Sequence, residues 1–146
     1  MQETMTLKGG CLCGAVRYEW RGAGVSASYC HCPDCQKATG GPYTVGVGVE
    51  AAGLSICAGK PKGYTKIADS GNPITREFCP ECGSPLFTRA AACPGTVWIK
   101  AGSLDDPELI RPTHQTWTQM AVSWAYLDKD LPGFTGNGPA PDQKTT

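Results

Sequence analysis

Cys30, Cys32 and Cys35 crowd into the stretch "YCHCPDCQK", with His31 between the first two. Two further clusters flank them: Cys11 and Cys13 as C-x-C, and Cys79 and Cys82 as C-x-x-C in "FCPECGS". Thiols at these spacings are metal ligands by type. Zinc takes thiolates at about 2.3 Å, and structural zinc sites hold four ligands in a tetrahedron. The flanking pairs sum to four, so Cys11, Cys13, Cys79 and Cys82 read as one closed structural zinc site. Buried free thiols are the alternative. Gly14 and Gly83 follow the two pairs directly, and glycine permits the tight turn that a ligand pair needs. The site would tie an N-terminal strand to one far downstream.

The central trio is one ligand short. Three protein ligands and an open fourth position are the arrangement of a catalytic zinc. The alternative is a second structural site, completed by a distant donor such as His114. Pro33 suits a first helical position and "TGG" ends the segment, which predicts a short helix over Pro33–Thr39. Cys35 falls in its first turn, where the helix dipole favours a thiolate. In an extended segment Cys30 and Cys32 point one way and His31 the other. His31 is therefore read as a substrate-facing catalytic residue or a support behind the ligands, rather than as a ligand. Cys57 reads as a small buried hydrophobe and Cys93 as a loop thiol.

These groups need a scaffold, and the composition describes it. The chain has 146 residues, with 19 glycines and 12 prolines, which favours many short strands and turns over long helices. "AVRYEW" puts Val16, Tyr18 and Trp20 on one face of a half-buried strand. "YTVGVGVE" aligns Tyr43, Val45, Val47 and Val49, leaving Thr44, Gly46 and Gly48 on the other face. Glycines alternating in a strand admit a close approach, by a ligand or by a packed side chain. Further strands are expected near "LSIC", "GYTKI", "ITREFC", "PLFTR" and "TVWIKAG". One domain over residues 6–135 is expected, with residues 1–5 frayed and 136–146 a flexible tail.

Thirteen basic residues balance thirteen acidic ones, so nothing marks a nucleic-acid binder. No apolar run approaches the ~20 residues of a membrane span, and the N-terminus has no signal-peptide pattern. The cytoplasm is the expected location. Nine cysteines there point to metal rather than to disulfides, and an odd number cannot all pair.

The motifs together resemble a known family, the glutathione-dependent formaldehyde-activating enzymes, which include centromere protein V-like proteins. The resemblance rests on "GGCLCGAVRYE", "YCHCPDCQKATGG", "REFCPECGSPLF", "IKAGSLDDP" and "DLPGF", from Gly9 to Phe134. It implies a mainly β fold of small antiparallel sheets with one short helix, sometimes called a β-tent. It implies a structural zinc at Cys11, Cys13, Cys79 and Cys82, and a second, labile or catalytic zinc at Cys30, Cys32 and Cys35. The implied activity is a carbon–sulfur lyase reaction in which glutathione and formaldehyde form S-(hydroxymethyl)glutathione. One departure stands out. The family pattern has a lysine between a histidine and a tryptophan, whereas "HQTWTQMAVSW" keeps His114 and Trp124 with no lysine between them.

A free thiol has a pKa of about 8.5 and is a weak nucleophile at neutral pH. A zinc ion deprotonates a thiol that coordinates it. Three cysteine thiolates already make such a site negative, so nearby cations would have to offset a fourth; Lys37 and Arg76 are the closest in sequence. Each also reads as an ordinary solvated charge. The expected partners are a small thiol such as glutathione and a small aldehyde, without nucleic acid or membrane. Two alternatives remain at this level: the same fold acting on another small thiol, and a non-catalytic zinc module that binds a protein. The module would carry an exposed apolar patch and a closed second site.

Overall fold

The computed structural model describes residues 3–138. The chain is mainly β, as expected, with ten strands in two sheets and one α-helix. In order these are β1 (Met5–Gly10), β2 (Arg17–Gly22), β3 (Ser26–Cys30), α1 (Pro33–Thr39), β4 (Thr44–Glu50), β5 (Leu54–Ala58) and β6 (Lys62–Ile67). There follow β7 (Pro73–Phe78), β8 (Pro85–Ala90), β9 (Thr96–Lys100) and β10 (His114–Thr116). The small sheet has the order β1-β2-β5, and the large one β10-β3-β4-β9-β8-β7-β6. All pairings are antiparallel except that of β10 with β3.

The core lies between the two sheets. Val16, Tyr18 and Trp20 alternate inward as their spacing predicts, and with Leu7 they join Val47, Val49, Phe87, Val97 and Ile99 in one buried cluster. Burying each large apolar side chain contributes about 1.5–3 kcal/mol. Tyr18 and Phe87 meet edge to face across the sheets, with ring centroids 4.9 Å apart.

The polar atoms of Trp20 and Tyr18 are paired. The indole of Trp20 donates to the Glu50 carbonyl at 2.8 Å. Ser103 donates to the Lys100 carbonyl at 2.7 Å, so the Tyr18 hydroxyl, 2.6 Å from Ser103 Oγ, is the donor in that pair. This chain of bonds fixes the C-terminal end of β9, which carries Lys100. Burial raises the Tyr18 phenol to about 12, so it remains a donor. Tyr18→Phe should therefore cost about 1–2 kcal/mol, because Ser103 loses its partner. A shifted urea midpoint at unchanged metal content is the expected result; an unchanged midpoint would show that the bond contributes nothing.

Three strands lay outside the expected set. β1 includes Met5, which pairs with Gly22, so the fraying expected for residues 1–5 stops short of that position. β3 is a run of small residues, and β10 is three residues long. Cys57 is exposed rather than buried, because β5 is the edge of the small sheet and its outer end faces water. Cys93 sits in the turn between β8 and β9. Of the tail at 136–146, only 136–138 are among the described residues. There, the Gly136 carbonyl and the Asn137 side chain accept hydrogen bonds from the backbone and indole N–H groups of Trp117.

Candidate metal centres

The fold brings two groups of thiols together. Cys11, Cys13, Cys79 and Cys82 have their sulfurs all within 4.8 Å of one another, and so do Cys30, Cys32 and Cys35. Neither His31 nor His114 joins either group.

The four-cysteine group is built by two hairpin turns from different sheets. Cys11 and Cys13 lie between β1 and β2, and Cys79 and Cys82 between β7 and β8. Both turns close on glycines in the left-handed region, Gly14 at φ 80° and Gly83 at φ 78°, where a side chain would strain the backbone. The amide of Gly14 returns to the Cys11 carbonyl at 3.1 Å, and that of Gly83 to the Cys79 carbonyl at 2.8 Å. Sulfur separations are 3.6 Å for Cys11–Cys13 and 3.8 Å for Cys13–Cys79. Four sulfurs around zinc at about 2.3 Å form a tetrahedron with edges of about 3.8 Å, so these distances fit zinc and exclude a disulfide.

Backbone amides prepare the sulfurs for negative charge. The amide of Val16 points at Cys11 Sγ (3.2 Å), and those of Glu81 and Cys82 at Cys79 Sγ (3.4 and 3.5 Å). Ser84 Oγ lies 3.2 Å from Cys82 Sγ and accepts the Leu12 amide at 3.0 Å, linking the two turns. Hydrogen bonding to Ser84, first through its hydroxyl, lowers the Cys82 thiol to about 5.

The trio sits where β3 ends and α1 begins. The helix runs over Pro33–Thr39, as the sequence predicts, with Pro33 in its first turn and Gly40 ending it at φ 74°. Cys32 is its N-cap: its sulfur accepts from the Cys35 amide at 3.3 Å. Three thiols this close cannot all ionise unaided. Cys30 is pushed down to about 2 by hydrogen bonds from Cys32 and Cys35, while Cys35 is pushed up, first by its bond to Cys30. A divalent cation supplies the positive charge that lets all three become thiolates. The donor set therefore suits a metal, with three sulfurs and no fourth His, Cys, Asp or Glu in the group among the described residues.

His31, between two of these cysteines in sequence, is fully buried. Its ring packs against Tyr43 at 5.4 Å, and its Nε2 lies 3.1 Å from Gln115 Oε1. The Gln115 amide is oriented by its donation to the Asp128 carbonyl at 3.0 Å. The proton between His31 and Gln115 must then sit on Nε2, which leaves Nδ1 buried and without a partner. Gln36 and Gln115, neither of which the motifs single out, hold this region together. Gln36 donates to the carbonyls of His31 at 2.7 Å and Met120 at 3.1 Å. His114 stands apart on β10, leaning on Phe134 at 5.8 Å, and burial lowers its imidazole.

The large sheet's face opposite the core carries the charges. Lys100 pairs across β4 with Gly46, and Thr44 with Cys30, so all four side-chain positions share a face. Lys100 is only 8% exposed, and its ammonium donates to Thr44 Oγ1 at 3.2 Å. Burial lowers its pKa, while the charges of Cys35, Cys30 and Cys32 pull it upward. A cleft of about 210 Å³ opens there, lined by Ala38 of α1 and by Tyr64, Arg76, Phe78 and Lys100 of the sheet. Of the two cations expected near the trio, Arg76 lines this cleft and Lys37 is exposed on the helix. Gly46 of β4 does not face open space. Trp98 lies over Gly46, 3.5 Å from where a Cβ would be.

Residues 6–120 match the family described as glutathione-dependent formaldehyde-activating enzyme. The chain belongs to this family. A crystal structure of a Rhodobacter sphaeroides protein shares the fold, with a TM-score of 0.56 at 20% identity. The match covers 72% of this chain and 96% of that one. No curated protein matches the chain. Among the described residues, no helix is long and apolar enough to cross a membrane.

Proposed function

We propose that this family member is a zinc-dependent carbon–sulfur lyase that joins a small thiol, glutathione first, to formaldehyde or a similar aldehyde. The observation that carries the reading is the trio: three clustered thiols, no fourth ligand among the described residues, and a cationic cleft alongside. In this reading Cys11, Cys13, Cys79 and Cys82 hold a structural zinc, and Cys30, Cys32 and Cys35 hold the second. Zinc at the trio supplies positive charge that favours the thiolate form of an incoming thiol.

The reaction itself balances simply. A sulfur–carbon bond forms, the carbonyl π pair moves to oxygen, and the thiol proton ends on that oxygen. The chain's part is to hold the thiol and the aldehyde together, which converts an encounter into a local step. His31 is proposed as a positioning residue: fully buried and bonded through Nε2 to Gln115, it would hold the Cys30–Cys32 segment in place. Nine unpaired thiols suit a reducing compartment, so we place the protein in the cytoplasm.

Exchange spectroscopy on glutathione and formaldehyde tests the reading. Zinc-loaded protein should form S-(hydroxymethyl)glutathione faster than the spontaneous reaction. An unchanged exchange rate would reject the formaldehyde reaction. A second reading, a non-catalytic zinc module with a protein partner, draws on Trp124 and Tyr126, which are 72% and 86% exposed. Intact zinc with no thiol binding would favour it.

A further inference from the structure

Lys100 and Arg76 have no carboxylate partner among the described residues. The ion pairs there are Arg17–Asp105, Arg21–Glu19, Lys66–Asp34 and Arg89–Glu77. Glu77 lines the cleft but is committed to Arg89 at 2.6 Å. Lys100 has one hydrogen-bond partner, Thr44, for three N–H groups. The Nε of Arg76 is buried and has none. Two cations facing one cleft repel each other, and a buried cation without a partner is costly. Such groups persist where something else supplies the negative charge.

The trio supplies part of it. Three thiolates around a divalent cation leave one net negative charge, which balances one of the two cations. An incoming thiolate would match the charge of the other, and the unfilled N–H groups of Lys100 and Arg76 are left for a further acceptor on the ligand. We propose that the cleft beside the trio is a carboxylate subsite, in which Lys100 and Arg76 receive the carboxylate of a small thiol whose sulfur lies toward Cys30, Cys32 and Cys35. The walls suit this ligand class. Lys66 of β6 bonds Asp34 of α1 at 2.6 Å and ties the helix to the sheet beside the cleft. Phe78 and Ala38 offer apolar contact to a short methylene chain, and a volume of about 210 Å³ takes one end of a small peptide.

The proposal rests on the thiol-binding reading, and the test separates the two. Zinc-loaded full-length protein is titrated calorimetrically with 3-mercaptopropionate and with 2-mercaptoethanol, which has no carboxylate. The wild type should prefer the carboxylate thiol by about tenfold or more, the range of a charge-assisted hydrogen bond. Lys100→Met should cut that preference to about twofold or less at unchanged zinc content, and Arg76→Gln should reduce it. Should Lys100→Met fail to hold zinc, Arg76→Gln decides, and an undiminished preference in it overturns the proposal. Equal binding of both thiols by the wild type overturns the subsite and leaves the thiol reading standing. Binding of neither overturns both.

Discussion

Cys79→Ser should unfold the whole domain under conditions where the wild type is stable. Cys79 is fully buried and lies in the turn that faces Cys11 and Cys13 across the two sheets. Its sulfur accepts two amide hydrogen bonds and stands 3.8 Å from Cys13. Apparent binding of a structural zinc is worth about 10–16 kcal/mol, against a total stability of about 5–15 kcal/mol for a domain. Losing one ligand of four forfeits much of that, and the β1–β2 and β7–β8 turns would no longer be clasped. A loss of even about 5 kcal/mol corresponds to a fall in melting temperature of roughly 15 °C in a chain of this size. Thermal melts with zinc analysis read it. A variant that melts within about 3 °C of the wild type, a shift worth roughly 1 kcal/mol, would show that the clasp is not structural.

This site was legible because its signal is local. C-x-C and C-x-x-C, each followed by a glycine, state both the ligand and the turn that presents it, and the closure of two pairs into four follows by counting. α1 was legible for the same reason, since Pro33 and the glycines after Thr39 mark its ends. β10 was not. β10 is three residues long and exists because β3 lies beside it, with the His31 amide bonded to the Thr116 carbonyl at 3.1 Å.

Lys100 was hidden by the same alternation that revealed its strand. "TVWIK" buries Val97 and Ile99 in the core, which places Lys100 on the opposite face, where a lysine reads as solvated. That face is covered locally by α1 and the trio, and no pattern within β9 encodes the covering. Gly46 misleads in the other direction. Its spacing invites a ligand, but Trp98, two residues before Lys100, packs beside it in van der Waals contact.

Cys32→Ser should spare the fold and silence the second centre. Cys32 has two separable tasks. As N-cap of α1 its sulfur accepts the Cys35 amide at 3.3 Å, and serine is among the best residues for that task. As one of three thiols it would hold a metal, and serine is a poor substitute there because its hydroxyl is not a thiolate at neutral pH. The helix should remain, the clasp at Cys11, Cys13, Cys79 and Cys82 is untouched, and the melting temperature should move by less than about 3 °C, the shift of roughly 1 kcal/mol. Zinc should fall from two ions per chain to one, with thiol–aldehyde exchange returning to the spontaneous rate. The same separation should be visible in the wild type under stepwise chelation. A centre with three protein ligands gives up its metal before one with four, so the first ion should leave with the fold intact and the second should take the fold with it. Equal, severe unfolding of Cys32→Ser and Cys79→Ser would make both centres structural. A single zinc per chain, released in one step with the fold, would remove the second centre and the chemistry assigned to it.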